Sequence, residues 1–321
     1  MAVSTNTEEL TNQQGDALTI QEAPVTDTAD GDGQQEPISL HHSLESALDH
    51  VESAALVERG ATGISTGFRD LDWVTTGLHP GTLTVLASRP AVGRTTLLNS
   101  ICQQAGIVDK CPLLHVSLES SIEETTLRFL ASAGRIPLHH LRAGTLDETL
   151  RPRLDRVVPR LAEGRMHLWA PAQVTFDQLA ERARRYRDLF GIKLIAVDGI
   201  QDIRPRKRND LREREVGDVA RDLKSLAREL GVAVLATAHL NRAPEQRVDR
   251  TPAIDDLRES GAITFAADTI ILIHRPDAYV KDHPRMGEAD LLVAKHREGP
   301  TVTLLTAFQG HYSRFVDMAT T

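Results

Sequence analysis

Aromatic residues, cysteines and long apolar runs are all scarce in this sequence. Phe, Trp and Tyr make up 4% of its residues, which argues against a nucleic-acid surface built from stacked aromatic rings. The two cysteines, Cys102 and Cys111, provide neither a disulfide framework nor a metal-ligand spacing, and they are typical of a cytosolic protein with reduced thiols. The chain has no apolar stretch of about eighteen residues and no basic N-terminal region followed by an apolar run. We therefore expect a cytoplasmic protein that is neither secreted nor embedded in a membrane.

Lys and Arg are absent from the first 50 positions, which contain ten Asp and Glu residues. Because the whole chain has a formal charge of −8, the remaining residues carry about +2. Residues 1–40 are rich in Thr, Gln, Asp, Gly and Glu and lack hydrophobic periodicity, so we predict a disordered acidic tail there. A mildly basic body with an acidic tail is compatible with a nucleic-acid partner but does not require one.

Residues 41–60 are predicted to form a linker helix. The spacing of Leu44, Leu48, Val51 and Ala55 places them in one apolar stripe along a helix. Such a stripe needs a surface to cover, either on its own domain or on a neighbouring subunit.

Residues 61–321 are predicted to form one α/β domain. Short apolar runs alternate with helical patterns, which indicates a mostly parallel, twisted sheet with helices on both faces. The predicted strands are Leu83–Ala87, Leu113–Leu118, His167–Ala170, Lys193–Val197, Val232–Ala236, Thr269–Ile273, Asp290–Ala294 and Thr301–Leu305, the last two antiparallel. The predicted helices are one from Thr95, then Ile122–Gly134, Phe176–Phe190 and Val216–Leu230.

A phosphate-binding loop is predicted in the segment Ala87–Thr96, where a strand turns into a helix. Backbone N–H groups and a helix N-terminus at such a turn face an anion. Gly93 and Thr95 match the consensus of this loop, whereas Ser88 replaces its first glycine and Arg94 replaces its lysine. Taken alone, the segment fits an ordinary tight strand–helix turn equally well.

Two carboxylates follow apolar strands and strengthen this prediction. Asp198 ends the apolar run Leu194–Asp198. A strand of this form commonly ends in an acidic residue that holds the hydration shell of Mg²⁺. Glu119 ends the run His115–Glu119 and is placed to orient or deprotonate an attacking water. Carboxyl ends of parallel strands meet at one edge of the sheet, where ligands bind. An Asp that caps a turn is the simpler alternative for Asp198, but the three elements in this order favour a nucleotide pocket.

At this point the sequence resembles the C-terminal motor domain of DnaB-type replicative helicases, over about residues 60 to 315. The resemblance rests on Thr62–Asp72, the Arg-Pro-x-x-Gly-x-Thr-Thr loop, Ser117–Glu119, Leu240–Arg242, Asp256–Gly261 and Lys295–Pro300. It implies a RecA-like P-loop NTPase fold with ATP and Mg²⁺ as cofactors. It also identifies the stripe of residues 41–60 with the linker helix that docks on a neighbouring motor domain. No counterpart of the family's N-terminal helical domain, which engages primase, is expected in this sequence.

The resemblance also implies individual roles. Thr95 and Asp198 would bind Mg²⁺ and its hydration shell, and Glu119 would be the catalytic carboxylate. Arg297 matches an arginine finger that reaches the γ-phosphate held by the adjacent subunit, with Lys295 beside it; without the resemblance, a solvated basic hairpin would explain both. The implied nucleotide-binding residues are Arg89, Pro90, Gly93, Arg94, Thr95, Thr96 and Asp198.

Single-stranded DNA would pass through the channel of a ring-shaped homo-oligomer, a hexamer in this family, held by basic loops. The first loop after Asp198 contains Arg204, Arg206, Lys207, Arg208, Arg212 and Arg214. The second contains Arg242, Arg247 and Arg250. Solvated charged loops are the alternative explanation of both.

Three departures from the family pattern surround one phosphate position. Arg94 stands in place of lysine, His239 in place of a γ-phosphate-sensing glutamine at a catalytic position, and Gly199 in place of an aromatic residue. The leading hypothesis is an ATP-dependent helicase or translocase that acts on single-stranded DNA in DNA replication. The alternative is a hydrolysis-deficient nucleotide-binding protein, derived from such a helicase, that binds DNA or serves as a scaffold.

Overall fold

The computed structural model describes residues 10–11, 17–18, 38–55, 61–207, 209–257, 260–280 and 282–318. The chain divides into two compact units, residues 1–40 and 41–321. In the first unit, strands β1 (Leu10–Thr11) and β2 (Ala17–Leu18) form an antiparallel pair. The rest of the predicted acidic tail, up to residue 37, lies outside the described residues.

Helix α1 (Leu40–Ala55) coincides with the predicted linker helix. Three residues of its apolar stripe are exposed in this chain: Leu44 by 51%, Leu48 by 62% and Val51 by 62%. The described body of the chain therefore does not cover the stripe. Residues 56–60, the end of the predicted linker, lie outside the described residues.

A nine-stranded sheet forms the centre of the second unit. The strands of this unit are β3 (Leu83–Ser88), β4 (Leu113–Ser117), β5 (Met166–Trp169), β6 (Val174–Thr175), β7 (Leu194–Asp198), β8 (Ile203–Arg204), β9 (Ala233–His239), β10 (Thr269–His274), β11 (Glu288–His296), β12 (Val302–Gln309) and β13 (Arg314–Asp317). The order in the sheet is β13-β12-β11-β10-β3-β9-β7-β4-β5, while β6 and β8 pair separately. Strands from β10 to β5 in this order are parallel, and β11, β12 and β13 extend the sheet in antiparallel fashion. The predicted parallel sheet and antiparallel last pair are confirmed.

Helices cover both faces of this sheet. They are α2 (Arg69–Thr75), α3 (Arg94–Gln103), α4 (Ile122–Gly134), α5 (Leu138–Ala143), α6 (Arg151–Ala162), α7 (Phe176–Phe190), α8 (Arg212–Leu230) and α9 (Ser260–Ala266). Because successive strand residues point to opposite faces, Val85 packs with α7 and α8, and Leu86 packs with α2 and α3. The strands are thus buried from both sides, as their continuous apolar runs predict.

The first predicted basic loop is shorter than the sequence suggested. Arg212 and Arg214 lie in the first turn of α8 and not in a loop. The side chain of Arg212 pairs with Glu215 at 2.8 Å, one turn further along the helix. This polar first turn carries no apolar periodicity, so the helix was predicted to begin only at Val216. Among the described residues, no helix combines the length and apolar character needed to cross a bilayer.

Candidate active site

The loop between β3 and α3 turns the chain through two residues with positive φ. Ala91 has a φ of 65° and Gly93 one of 120°. A Cβ at position 93 would also lie 3.0 Å from the ring of Phe315, so the loop requires glycine there on two counts. Ser88, by contrast, is the last residue of β3 and is fully buried, and its hydroxyl donates to the carbonyl of Arg89 at 2.9 Å. Serine is therefore accommodated at the first consensus glycine.

Thr95, Asp198 and Thr237 meet at the carboxyl edge of the parallel strands. The Thr95 hydroxyl, in the first turn of α3, donates to Asp198 Oδ2 at 2.9 Å. The Thr237 hydroxyl, on β9, donates to Asp198 Oδ1 at 2.7 Å. Burial raises the pKa of Asp198, although both hydrogen bonds favour its ionised form. This buried carboxylate is held in place from two elements.

Arg94 forms a second cluster with Glu119 and His239, which we call the arginine cluster. Its Nη2 contacts the Glu119 carboxylate, and its Nη1 and Nη2 lie 2.8 and 2.9 Å from the two ring nitrogens of His239. His239 Nε2 is 3.2 Å from Glu119 Oε1. The hydrogen bond from His239, together with the charge of Arg94, outweighs burial and lowers the pKa of Glu119. The guanidinium is 6% exposed and its Nε has no hydrogen-bond partner among the described residues.

Gly199 makes room for this cluster. A Cβ at position 199 would lie 2.8 Å from Asp202 Oδ2 and 3.3 Å from Glu119 Oε1. Any larger side chain would force Asp202 to move. Two of the three departures, Arg94 and His239, are in direct contact, and the third leaves the space that their carboxylate partners occupy.

Two groups of side chains could hold a cation, and their donor chemistry differs. Thr95 and Asp198 offer a hydroxyl and a carboxylate, the hard oxygen donors that Mg²⁺ prefers. Glu119, Asp202 and His239 also bring ligand atoms within 4.8 Å of one another. The guanidinium of Arg94 already contacts two of those three residues, so a cation there would face a fixed positive charge. The Thr95–Asp198 pair is the better Mg²⁺ site.

Asp202 and Thr237 were not predicted from the sequence. Thr237 lies on β9 beside Leu86 of β3, close to the carboxyl end of both strands, so the strand-end argument that selected Glu119 and Asp198 would also have selected it. Asp202 lies in a single 3-10 turn, Ile200–Asp202, and no sequence signal marks it. Burial, and after it the charge of Glu119, raises the pKa of Asp202.

Lys295 and Arg297 lie at the opposite edge of the sheet. His296 pairs with Thr269, and Thr269 pairs with Thr84, at the start of β3 and not at its phosphate-loop end. Lys295 Nζ donates to the carbonyls of Thr264, at 2.6 Å, and Ala267, near the end of α9. Arg297 is 67% exposed, with its Nη1 3.2 Å from Asp268 Oδ1. The structure therefore does not bring either residue to the arginine cluster of the same chain.

Some of the predicted DNA-contacting residues form ion pairs and others do not. Arg206 Nε donates to Asp177 Oδ1 at 2.8 Å, and its guanidinium covers the ring of Phe176. Arg247 forms a bidentate pair with Asp256. Three other predicted DNA-contacting residues are exposed and make no ion pair within the described ranges. Arg208 lies outside those ranges. The three exposed residues are Arg204, Lys207 and Arg242.

Comparison with known proteins agrees with this geometry. The family model of the DnaB-like helicase C-terminal domain matches residues 63–317. The chain is 41% identical to a replicative DNA helicase DnaB of Leifsonia xyli subsp. xyli, over 88% of this chain and 62% of that protein. It is 36% identical to a replicative DNA helicase DnaB of Haemophilus influenzae, over 91% of this chain and 63% of that protein.

Solved structures of similar proteins have the same fold as this chain. A solved ATPase domain superposes with a TM-score of 0.83 at 29% identity, covering 88% of this chain and all of that one. A DnaB-like replicative helicase, studied with its interactions with primase, superposes with a TM-score of 0.80 at 28% identity, covering 90% of this chain and 69% of that one.

The nine-stranded sheet with its phosphate loop is a RecA-like P-loop ATPase fold. The chain belongs to the family of DnaB-like helicase C-terminal domains. It spans about three fifths of the length of the curated relatives that it matches.

Proposed function

We propose that this protein is an ATP-driven helicase or translocase that moves on single-stranded DNA during DNA replication and works as a ring, with a hexamer as the expected size. The observation that carries the proposal is that the candidate catalytic groups lie at two opposite edges of the sheet. Thr95, Asp198 and Glu119 converge at one edge of the sheet, and Arg297 is exposed at the other. We place this activity in the cytoplasm, in line with the composition.

The phosphate loop would bind the nucleotide. The N–H groups of Gly93 to Thr96, at the N-terminus of α3, suit the β- and γ-phosphates, with Arg89 and Pro90 shaping the loop before them. The oxygens of Thr95 and Asp198 would hold Mg²⁺, which neutralises developing phosphate charge when bound. Glu119 would orient the attacking water and accept its proton. A depressed pKa keeps this carboxylate ionised at neutral pH, as that role requires.

Arg94 would have to change partners during this cycle. Its guanidinium is held by Glu119 and His239, so contact with a γ-phosphate would release Glu119 for the water. Arginine keeps the positive charge of the family's lysine but is planar and forked. A working enzyme with this exchange would have an altered cycle, in which hydrolysis depends on nucleotide entry.

Arg297 and Lys295 would act on the nucleotide of a neighbouring subunit. Arg297 is exposed and weakly held by Asp268, so its guanidinium can be presented outward, with Lys295 fixing the strand behind it through α9. The exposed stripe of α1 offers a second contact between neighbours, because a helix with three uncovered apolar residues needs a partner surface.

Single-stranded DNA would be held by Arg204, Lys207, Arg208 and Arg242, with Arg206 and Arg247 anchoring their loops through Asp177 and Asp256. Contacts of this kind neutralise phosphates without reading sequence, so affinity falls as salt concentration rises. Single-strand affinity that does not change with salt would remove the basic loops from the proposal.

Steady-state ATP hydrolysis, with and without single-stranded DNA, tests the proposal. We expect DNA-stimulated turnover by the unaltered chain and its loss in Glu119→Gln, by a factor of about 10² or more because the water loses its base. Arg94→Lys is the informative comparison, since it restores the family's lysine. Tight nucleotide binding without turnover in the unaltered chain, with turnover gained by Arg94→Lys, would instead identify a nucleotide-binding scaffold.

A further inference from the structure

A cavity of 670 Å³ lies beside α6, and none of the site residues assigned above lines it. Its walls are the end of α4, one face of α6 and the turn between β12 and β13. We call it the arginine cavity, because five of its ten lining residues are arginines and none is acidic. The five arginines are Arg135, Arg153, Arg156, Arg160 and Arg314. None of them belongs to the arginine cluster, to the phosphate loop or to the basic loops.

These arginines lack carboxylate partners among the residues that the structure describes. In the described part of the chain, none of the five forms an ion pair, although Arg151 on the same helix pairs with Asp155 at 3.3 Å. The hydrogen bonds that the cavity arginines do make are to neutral groups. Arg153 donates to the carbonyl of Arg135 at 3.1 Å, and Arg314 donates to Gln309 Oε1 at 2.8 Å. The fold therefore leaves five arginines of one cavity without an ion-pair partner among the described residues, and four of them, all but Arg314, are exposed to solvent.

Keeping them together works against the stability of the chain. Arg153, Arg156 and Arg160 are three and four residues apart, so they stand on one face of α6, where like charges repel. Burial, and after it the charge of Arg135, lowers the pKa of Arg314. Arg135 itself ends α4 with a φ of 50°, a left-handed conformation that favours glycine. An anion in the cavity would relieve the repulsion among all of these groups.

We propose that the arginine cavity is a second anion site, which binds a small polyphosphate such as pyrophosphate or the phosphate chain of a nucleotide. Guanidinium groups bind phosphate oxygens through short, charge-assisted and often bidentate hydrogen bonds. The volume of the cavity is in the range of small-ligand sites. A nucleic-acid strand presents about one charge per phosphate along an extended track, whereas here five charges converge in one concave site, which favours a compact polyanion.

Calorimetric titration of the full chain with inorganic pyrophosphate, in metal-free buffer of low ionic strength, tests this proposal. The variant is Arg156→Gln with Arg160→Gln, and the matched control is Arg151→Gln, on the same helix but outside the cavity. We expect the double variant to bind about one pyrophosphate fewer per chain, or to bind it at least ~10-fold more weakly, because two charge-assisted contacts are lost. The control is expected to match the unaltered chain. The measurement does not depend on ATP turnover, so its outcome is separate from that of the proposed function.

A second variant separates binding from folding. Arg135→Gly removes one guanidinium and places glycine where the backbone has a positive φ, so the thermal midpoint is expected to rise while pyrophosphate affinity falls. ADP, titrated in the same way, also binds the proposed phosphate loop, so the comparison uses only the binding that the double variant loses. If that part is tighter for ADP than for pyrophosphate, the ligand is a nucleotide; if the two are equal, the ligand is the phosphate chain alone. Equal pyrophosphate binding by all the variants would overturn the proposal. So would a double variant that loses affinity only for a single-stranded oligonucleotide.

Discussion

Arg94 illustrates how one residue alters the chemistry of several others. A lysine ammonium at this position would be a compact point charge, whereas the guanidinium spans both Glu119 and His239. The space beside them exists because residue 199 is glycine. The contact between Arg94 and His239 joins residues 145 positions apart, and nothing in the linear sequence predicts it. The departures from the family pattern are therefore better understood as one connected change than as three separate losses.

The ionisation of Glu119 gives a pH-dependent prediction. The hydrogen bond from His239, with help from the charge of Arg94, holds the pKa of Glu119 below its ordinary value of 4.5. A carboxyl with a depressed folded-state pKa stabilises the fold fully above its unfolded value, and this contribution is lost as pH falls through the folded value. Glu119→Gln should therefore lower the free energy of unfolding at pH 7, by about 1 kcal/mol or less because the side chain is partly exposed.

Denaturant unfolding between pH 7 and pH 3.5 measures this effect as the gap between the unaltered chain and Glu119→Gln. The gap is expected to shrink as pH falls below about 4.5. Glu123→Gln is the control, because Glu123 is exposed and makes no side-chain hydrogen bond with the described residues. A gap for Glu119→Gln that stays constant over this range contradicts the assignment.

Helix α4 shows how the elements position the site. It begins three residues after Glu119, and a capping box fixes its start. The Ser121 hydroxyl accepts from the N–H of Glu124 at 3.1 Å, and the Glu124 carboxylate accepts from the N–H of Ser121 at 3.2 Å. This reciprocal pair defines where the chain leaves β4 and thus where the Glu119 side chain stands.

Ser121→Ala is expected to lower the free energy of unfolding by about 1 kcal/mol, since one N–H of the first turn loses its acceptor. Thr126→Ala, on the exposed side of the same helix, is the control. Its hydroxyl bonds only to the carbonyl of Ile122, and alanine favours the helix more strongly. Chemical denaturation of the two variants decides the matter, and equal losses would show that the cap does not stabilise α4.

The elements also show what the sequence can and cannot predict. The predicted starts of α4 and α7 are confirmed, and the structure shows a capping box at each, Ser121-x-x-Glu124 and Thr175-x-x-Gln178, which the sequence carries as a readable signal. Helix α6 was missed, since it buries only Val157 and contains a proline inside. The same weak apolar pattern left its arginines unnoticed. Within the site, Glu119 and Asp198 follow from the ends of parallel strands, whereas the position of Asp202 depends on a turn that no pattern marks.

At the scale of the whole molecule, the sheet separates the groups that we propose to act in hydrolysis. Arg297 lies near the start of strand β3, and the phosphate loop follows the end of the same strand. Arg297→Ala is expected to abolish turnover and to leave nucleotide binding nearly unchanged, because the residue does not touch the loop of its own chain. Removal of an arginine finger reduces turnover by a factor of about 10³ to 10⁵.

Mixed assemblies test the separation directly. Arg297→Ala chains and Glu119→Gln chains are each expected to be inactive alone. When they are mixed, some interfaces join an intact Glu119 edge to an intact Arg297 edge, and partial ATP hydrolysis should return. Recovery that never exceeds the sum of the two separate proteins would show that Arg297 does not act across an interface.

The opposite placement of these two edges also sets a condition on concentration. In a single protomer, the length of strand β3 lies between the phosphate loop and Arg297, the proposed arginine finger, so the two cannot meet. Dilution below the assembly threshold should then silence hydrolysis altogether, even with nucleotide bound and every side chain intact. In the proposed ring, the same geometry would prevent unassembled protomers from consuming ATP.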